Sequence, residues 1–286
     1  MTTAAAKLIG FAGALVLLFG ATFGVARAVS PQGLAGRGGS GMAAHGGGHS
    51  SDGGMDMGTP VGSLPGLTIE QDGYRLVPEA TTLAASGATP FRFRIDGPDG
   101  RPLQAYEQLH ERELHLIVVR RDLTGFQHVH PARATDGTWS IALDLQEGGT
   151  WRAFADMAPK GGPDQLTLGV DLQVAGPFAP GTGPSAAATP PVGLDVDFAR
   201  HGSEIDVTVR RDGRPVEPEP YLGARGHLVA LRAGDLAYLH VHPVEGAHGT
   251  AVPFEVDAPA GSYALFFDYQ LDGIVHTATA TLEVTR

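Results

Sequence analysis

Residues 114–131 read LHLIVVRRDLTGFQHVHP, and residues 226–243 read GHLVALRAGDLAYLHVHP. The two align without a gap. They share a His, a Leu and an Arg at matching places and close on the same His-Val-His-Pro. The likeness extends outward. Upstream, Asp99-Gly100-Arg101-Pro102 matches Asp212-Gly213-Arg214-Pro215. Downstream, the run from Trp151 to Asp156 matches Tyr263 to Asp268, and the last His lies 26 residues before that Asp in both copies. Self-similarity of this kind marks one structural unit used twice.

The unit reads as β. Phe91-Arg92-Phe93-Arg94-Ile95 alternates apolar and polar, as a half-buried strand does. Leu114 to Val119 is mostly apolar and β-branched, which suits a central strand, and Trp139 to Leu143 and Leu168 to Val174 are similar. Leu194–Phe198, Ile205–Val209, His227–Leu231, Tyr263–Phe267 and Val275–Val284 continue the pattern. Gly, Asp and Pro punctuate these runs at short intervals, and no stretch beyond residue 30 has a helical period. The expected fold is therefore all-β, with two tandem immunoglobulin-like sandwiches at 66–175 and 192–286. A Pro-rich linker, 176–191, joins them.

The N-terminal part is different. Lys7 precedes an uncharged run from Leu8 to Ala26, 19 residues long, close to the ~20 that cross a bilayer as a helix. Residues 1–29 are expected to be a transmembrane signal anchor. Ala26-Arg27-Ala28 also fits a cleavage site, which makes a removed signal peptide and a secreted protein the alternative. Either way the bulk of the chain is expected outside the cytoplasm. Residues 30–65 are too Gly-rich to build a core and read as a disordered linker. This tract carries Met42, His45, His49, Met55 and Met57, three of the five methionines of the chain. Thioether sulfur suits Cu(I), and imidazole suits Cu(II) and zinc.

Composition narrows the chemistry. A net charge of −11 repels phosphate backbones, so nucleic acid is not an expected partner. With no cysteine, disulfides, zinc ribbons and thiolate nucleophiles are excluded. Any soft metal must be held by Met or His.

Histidine supplies the candidate site. His128 and His130 are two apart on an apparent strand and so share a face, as do His240 and His242. A third His lies 13 residues upstream in each copy, His115 and His227. An even-loop hairpin turning at Ala233-Gly234 would set His227 opposite His240, with His242 diagonal. The first copy gives a centre between Arg121 and Asp122, although Gly125 hints at a longer or bulged loop. Three imidazoles per copy then converge. Asp156 and Asp268 are expected either to ligate or to orient a ligating His. His276 is a fourth nitrogen available to the second copy alone. His110 lacks a counterpart and ranks lower, and His201 and His248 read as surface residues.

The string HLIVVRRDLTGFQHVHP, with DGTWSIALDL and GTWRAFAD after it, resembles secreted or membrane-anchored actinobacterial proteins described as heavy-metal-binding or YtkA-like. That resemblance implies an immunoglobulin-like sandwich and a role in handling metal, copper first. The overall form is also similar to periplasmic copper-resistance sandwiches of the CopC type. Those place a His at the mature N-terminus, which this chain does not, so their ligand set is not carried over. The expected function is non-enzymatic binding or transfer of a copper ion, Cu(I) or Cu(II), with zinc second and a copper-exporting ATPase as a natural partner. One alternative is a scaffold or adhesion module whose histidines are structural. Another is a cupin-like metalloenzyme using His240, His242, Glu245 and His276, although that Glu falls one or two residues too early.

Overall fold

The computed structural model describes residues 64–187, 191–244 and 249–285, with the side chains of His240 and His242 left aside. The expected anchor and the Met/His linker, with Met42, His45, His49, Met55 and Met57, lie outside the described residues. Among the described residues no helix is long and apolar enough to cross a membrane.

The first repeat contains β1 (Glu70–Gln71), β2 (Tyr74–Pro78), β3 (Thr82–Ala84), β4 (Ser86–Asp96), β5 (Tyr106–Glu107), β6 (Leu114–Arg120), β7 (Gln127–Val129), β8 (Ala132–Arg133), β9 (Trp139–Leu145), β10 (Gly149–Pro159) and β11 (Leu166–Ala175). One sheet runs β1-β2-β4-β9-β8 and the other β3-β11-β10-β6-β7. All pairs are antiparallel except β3 with β11, which is parallel. With β2, β4, β9 and β8 as A, B, E and D, and β11, β10 and β6 as G, F and C, this is the immunoglobulin strand order.

The second repeat contains β12 (Leu194–His201), β13 (Glu204–Arg211), β14 (Arg214–Pro215), β15 (His227–Arg232), β16 (Tyr238–Pro243), β17 (Ala251–Glu255), β18 (Gly261–Leu271) and β19 (Ile274–Val284). The order is β12-β13-β17-β16-β15-β18-β19. Here β16 joins the two sheets. Tyr238 to Val241 pair with β15, while His242 and Pro243 pair with β17. In the first repeat the same job is split between β7 and β8, with Pro131 at the break.

Alternation explains three separate cores. On β6, Leu114, Leu116 and Val118 point into their own sandwich with Phe91, Phe93, Trp139 and Trp151. Val207, Leu228, Phe254 and Phe267 do the same in the second repeat. The other face of β6 carries Ile117 and Val119 into a third layer, with Phe126, Phe154, Val229, Leu231, Tyr238 and Phe266. This layer lies between the repeats, so β6, β10, β15 and β18 are covered on both faces. That is why β6 is buried at all seven positions. Phe126 stacks on Phe266, with ring centroids 4.0 Å apart and planes at 6°. Phe154 meets Tyr238 at 5.6 Å. Phe126 and Tyr238 are counterparts in the duplication, as are Phe154 and Phe266. The same contact is thus made twice with the repeats exchanging roles.

The expected hairpin register is corrected by two residues in both copies. Val229, not His227, faces His240, and Ile117 faces His128. The turn is longer than Ala233-Gly234. Leu236 adopts φ 61° and donates from its N–H to the Arg232 carbonyl at 2.9 Å, while Arg232 N–H bonds Ala237 O at 3.0 Å. The Asp235 carboxylate accepts from Ala237 N–H and pairs with Arg232. A two-residue slip preserves the face of every side chain. Part of the linker is also tied down. Phe126 N–H bonds Ser185 O and Ala187 N–H bonds Phe126 O, both at 2.9 Å.

Candidate metal centre between the repeats

His115 sits on β6, and His128 and His130 lie on and just after β7. All three share the face that looks toward the second repeat. His115 is 3 % exposed. Its Nδ1 lies 2.9 Å from His128 Nε2 and 3.1 Å from His130 Nε2. One ligand nitrogen from each residue falls within 4.8 Å of the others.

The outer hydrogen bonds fix which nitrogens carry hydrogen. His115 Nε2 lies 2.8 Å from the Leu109 carbonyl. A carbonyl only accepts, so this nitrogen is N–H, and Nδ1 of the neutral ring is bare. His128 Nδ1 lies 2.7 Å from Asp268 Oδ2. A carboxylate also only accepts, so a neutral His128 presents a bare Nε2. Two lone pairs then face each other at 2.9 Å. That contact repels unless a metal ion lies beside the two nitrogens or a proton bridges them. With metal–nitrogen bonds of roughly 2.0–2.1 Å, such spacings subtend about 90–100° at an ion, inside the usual range for coordination.

Electrostatics favour neutral rings at His115 and His130. Burial, then the neighbouring His128, pushes His115 down to about 3. Burial, then His128 and His115, takes His130 down to about 2. A metal takes imidazole in its neutral form.

Asp268 belongs to the second repeat. It lies opposite His227 on β15 and Thr277 on β19. Its Oδ1 accepts from Thr277 Oγ1 at 2.5 Å. Asp156, its counterpart, lies opposite His115 and is fully buried. Asp156 accepts from Thr167 Oγ1 at 2.9 Å, from Gln165 Nε2 at 3.1 Å and from Tyr238 Oη of the second repeat at 3.3 Å. Burial, with Asp156 next, holds the Tyr238 phenol well above its usual range, so it remains a donor.

His227 repeats the lock seen at His115. Its Nε2 lies 2.9 Å from the Tyr221 carbonyl, and burial takes its titration down to about 4. The side chains of His240 and His242 lie outside the description, so a second triad is not described. His276 does not join His115, His128 and His130. It pairs with Tyr269, one residue past Asp268 and so on the other face of β18, and its ring lies 5.5 Å from Tyr269. His201 is on the surface, 3.7 Å from Asp206, and residue 248 is outside the description.

His110 is the residue that spacing undervalued. Its ring is 5.1 Å from His227 and 6.1 Å from His115, between the repeats. It sits in a tight turn closed by mutual Leu109 and Arg112 backbone bonds. Both central residues are left-handed, His110 at φ 45° and Glu111 at φ 63°. The second repeat builds the same turn with Leu222 and Gly223. No counterpart signals His110 in the duplicated pattern. Two non-glycine residues in a turn that asks for positive φ is the only local mark it leaves.

Solved structures similar in part include FdeC, a broadly conserved Escherichia coli adhesin, at 14 % identity over 76 % of this chain and 65 % of that one, with a TM-score of 0.26. A marsupial T cell receptor matches at 10 % identity over 75 % and 63 %, TM-score 0.24. Invasin, a bacterial integrin-binding protein, matches at 11 % over 75 % and 40 %, TM-score 0.23. This chain spans less than two thirds of each of them, and likenesses at these scores carry no argument. No curated protein matches. A family model does, twice, over residues 69–175 and 193–286, in step with the two sandwiches. The chain belongs to the family described as a domain of unknown function, DUF8832.

Proposed function

We propose that this protein binds a transition-metal ion outside the cytoplasm, copper first and zinc second, and serves binding or transfer rather than catalysis. The observation that carries the reading is the convergence of three imidazole nitrogens, His115 Nδ1 lying 2.9 Å from His128 Nε2 and 3.1 Å from His130 Nε2. Imidazole donors without thiolate or water-facing carboxylate suit Cu(II) and zinc, and the Met/His tract at 42–57 would add thioether capture of Cu(I). In this reading residues 8–26 hold the protein at a membrane, and a copper-exporting ATPase is the natural source of the ion.

The experiment is a titration of the full chain with Cu(II) and Zn(II), after Met42, His45, His49, Met55 and Met57 are changed to Ala to silence the tract. Stoichiometric binding is expected, and it should be lost when His115, His128 and His130 are all replaced by Ala. Saturation at about 100 times Kd should add about 2.7 kcal/mol of stability. Unchanged binding in the triple variant, or no binding in its parent, refutes the reading.

The His128–Asp268 contact favours one competitor, a buried imidazolium–carboxylate pair in a scaffold without metal. There a proton on His128 Nε2 would bridge to His115. Metal-independent stability that falls on loss of Asp268, with no metal retained, would select it.

A further inference from the structure

We infer that Asp268, in the second repeat, is a positioning residue for the ion site of the first, so that metal binding and docking of the two repeats are one linked equilibrium. This rests on the metal reading of the three-histidine cluster.

The geometry is specific. Asp268 reaches 140 residues back along the chain to His128 rather than to its own repeat's His227, which bonds the Tyr221 carbonyl instead. The His128 and Asp268 side chains are 6 % and 4 % exposed. Asp268 sits on the central strand β18, and Thr277 holds its other oxygen. A carboxylate fixed in this way sets the imidazole tautomer, aims Nε2 at the cluster and makes that nitrogen a better donor.

Charge points the same way. Imidazole binds a metal in its neutral form, and a cation buried among neutral groups alone is costly. Asp268 and Asp156 flank the cluster, one beside His128 and one opposite His115. They are the acidic groups placed to offset the charge of an ion there. Only the docked repeats bring Asp268 there, because it has no covalent path to His128 shorter than the linker.

Linkage is reciprocal. Loss of an outer-shell carboxylate typically weakens metal binding by about 10–100-fold. If Asp268 contributes that factor through docking, the ion tightens docking by the same factor.

The test uses the full chain with the linker ligands changed to Ala, and Cu(II) and Zn(II) alone as probes. Asp268→Ala should weaken both metals by about 10–100-fold. Asp268→Asn keeps an acceptor oxygen without the charge and should fall between, and Thr277→Val should cost less than either. If Asp268→Ala does not fold, Asp268→Asn, nearly the same size, carries the measurement. The Cu(II) electron paramagnetic resonance spectrum should change in these variants while imidazole coupling persists, a signature that general destabilisation would not produce. Hydrogen exchange in β15 and β18 should slow on metal addition in the parent and less so in Asp268→Asn. Wild-type affinity in a folded Asp268→Asn or Asp268→Ala, or equal slowing of exchange in both proteins, overturns the inference and leaves the metal reading standing. Failure of the parent to bind metal removes both.

Discussion

Phe266→Ala is the sharpest test of the architecture on which the site depends. Phe266 is 0 % exposed and lies flat on Phe126, 1 % exposed, at 4.0 Å between centroids. Truncating a buried Phe costs roughly 3–5 kcal/mol through lost burial and the cavity left behind. The aromatic pair adds a coupling of about 0.5–1.5 kcal/mol, measurable as the non-additivity of Phe126→Ala with Phe266→Ala. A loss of this size is a large share of the roughly 5–15 kcal/mol that a folded protein has in total. The readout can be divided between the repeats. The two tryptophans, Trp139 and Trp151, are both in the first repeat, whereas far-UV circular dichroism reports strands in both. Urea unfolding with a chelator present should give coincident fluorescence and dichroism curves in the parent. Phe266→Ala, a change in the second repeat, should then move the fluorescence transition of the first to lower urea. A tryptophan transition that ignores the substitution would show the repeats to be thermodynamically independent, and the shared layer would lose its meaning.

Acid should weaken the metal-free protein. His115 and His227 titrate near 3 and 4 in the folded chain, against about 6.5 unfolded. The unfolded chain therefore takes up the protons first. Stability is full above pH 6.5 and declines as pH falls toward the folded values, by about 2 kcal/mol per histidine between pH 7 and 5. Urea unfolding across that range, with His115→Gln and His227→Gln in parallel, checks it, and stability that holds or rises on acidification would contradict it. Gly125→Ala should destabilise by about 2–4 kcal/mol, because a Cβ there meets the Trp151 ring at 2.5 Å and the residue sits at φ 66°. A thermal midpoint within a degree of the parent would count against that packing.

Most strands were legible because their chemistry is local. Phe91–Ile95 shows period two, and Gly or Asp marks the turns. The duplication was legible because it preserves spacing. The face-to-face packing left a signal of a different kind. Leu114 to Val119 does not alternate, and a strand apolar on both faces is covered on both faces. Its outer side is covered by the second repeat, through Ile117 and Val119. Leu123 and Leu236 in left-handed conformations, which no propensity favours, lengthened the turns and shifted the register by two. The first triad survived that shift because the displacement was even. His110 and the Asp268–His128 bond were illegible, since both join residues of different repeats and spacing within one repeat says nothing about them.

Exchange of roles between the halves, Phe126 on Phe266 and Tyr238 on Phe154, has an ancestral consequence. A contact in which i meets j and j meets i is what a two-fold axis makes in a homodimer. A single-repeat precursor could have paired through this face, at a strength set by its concentration. Joining two such subunits in one polypeptide makes their encounter intramolecular, with effective concentrations on the order of millimolar. It also frees the halves from identity. A homodimer would carry His110 twice or never; the fused chain carries it once, with Leu222 in its twin's place. Two copies on one polypeptide thus form a pseudo-symmetric meeting surface whose two sides can differ.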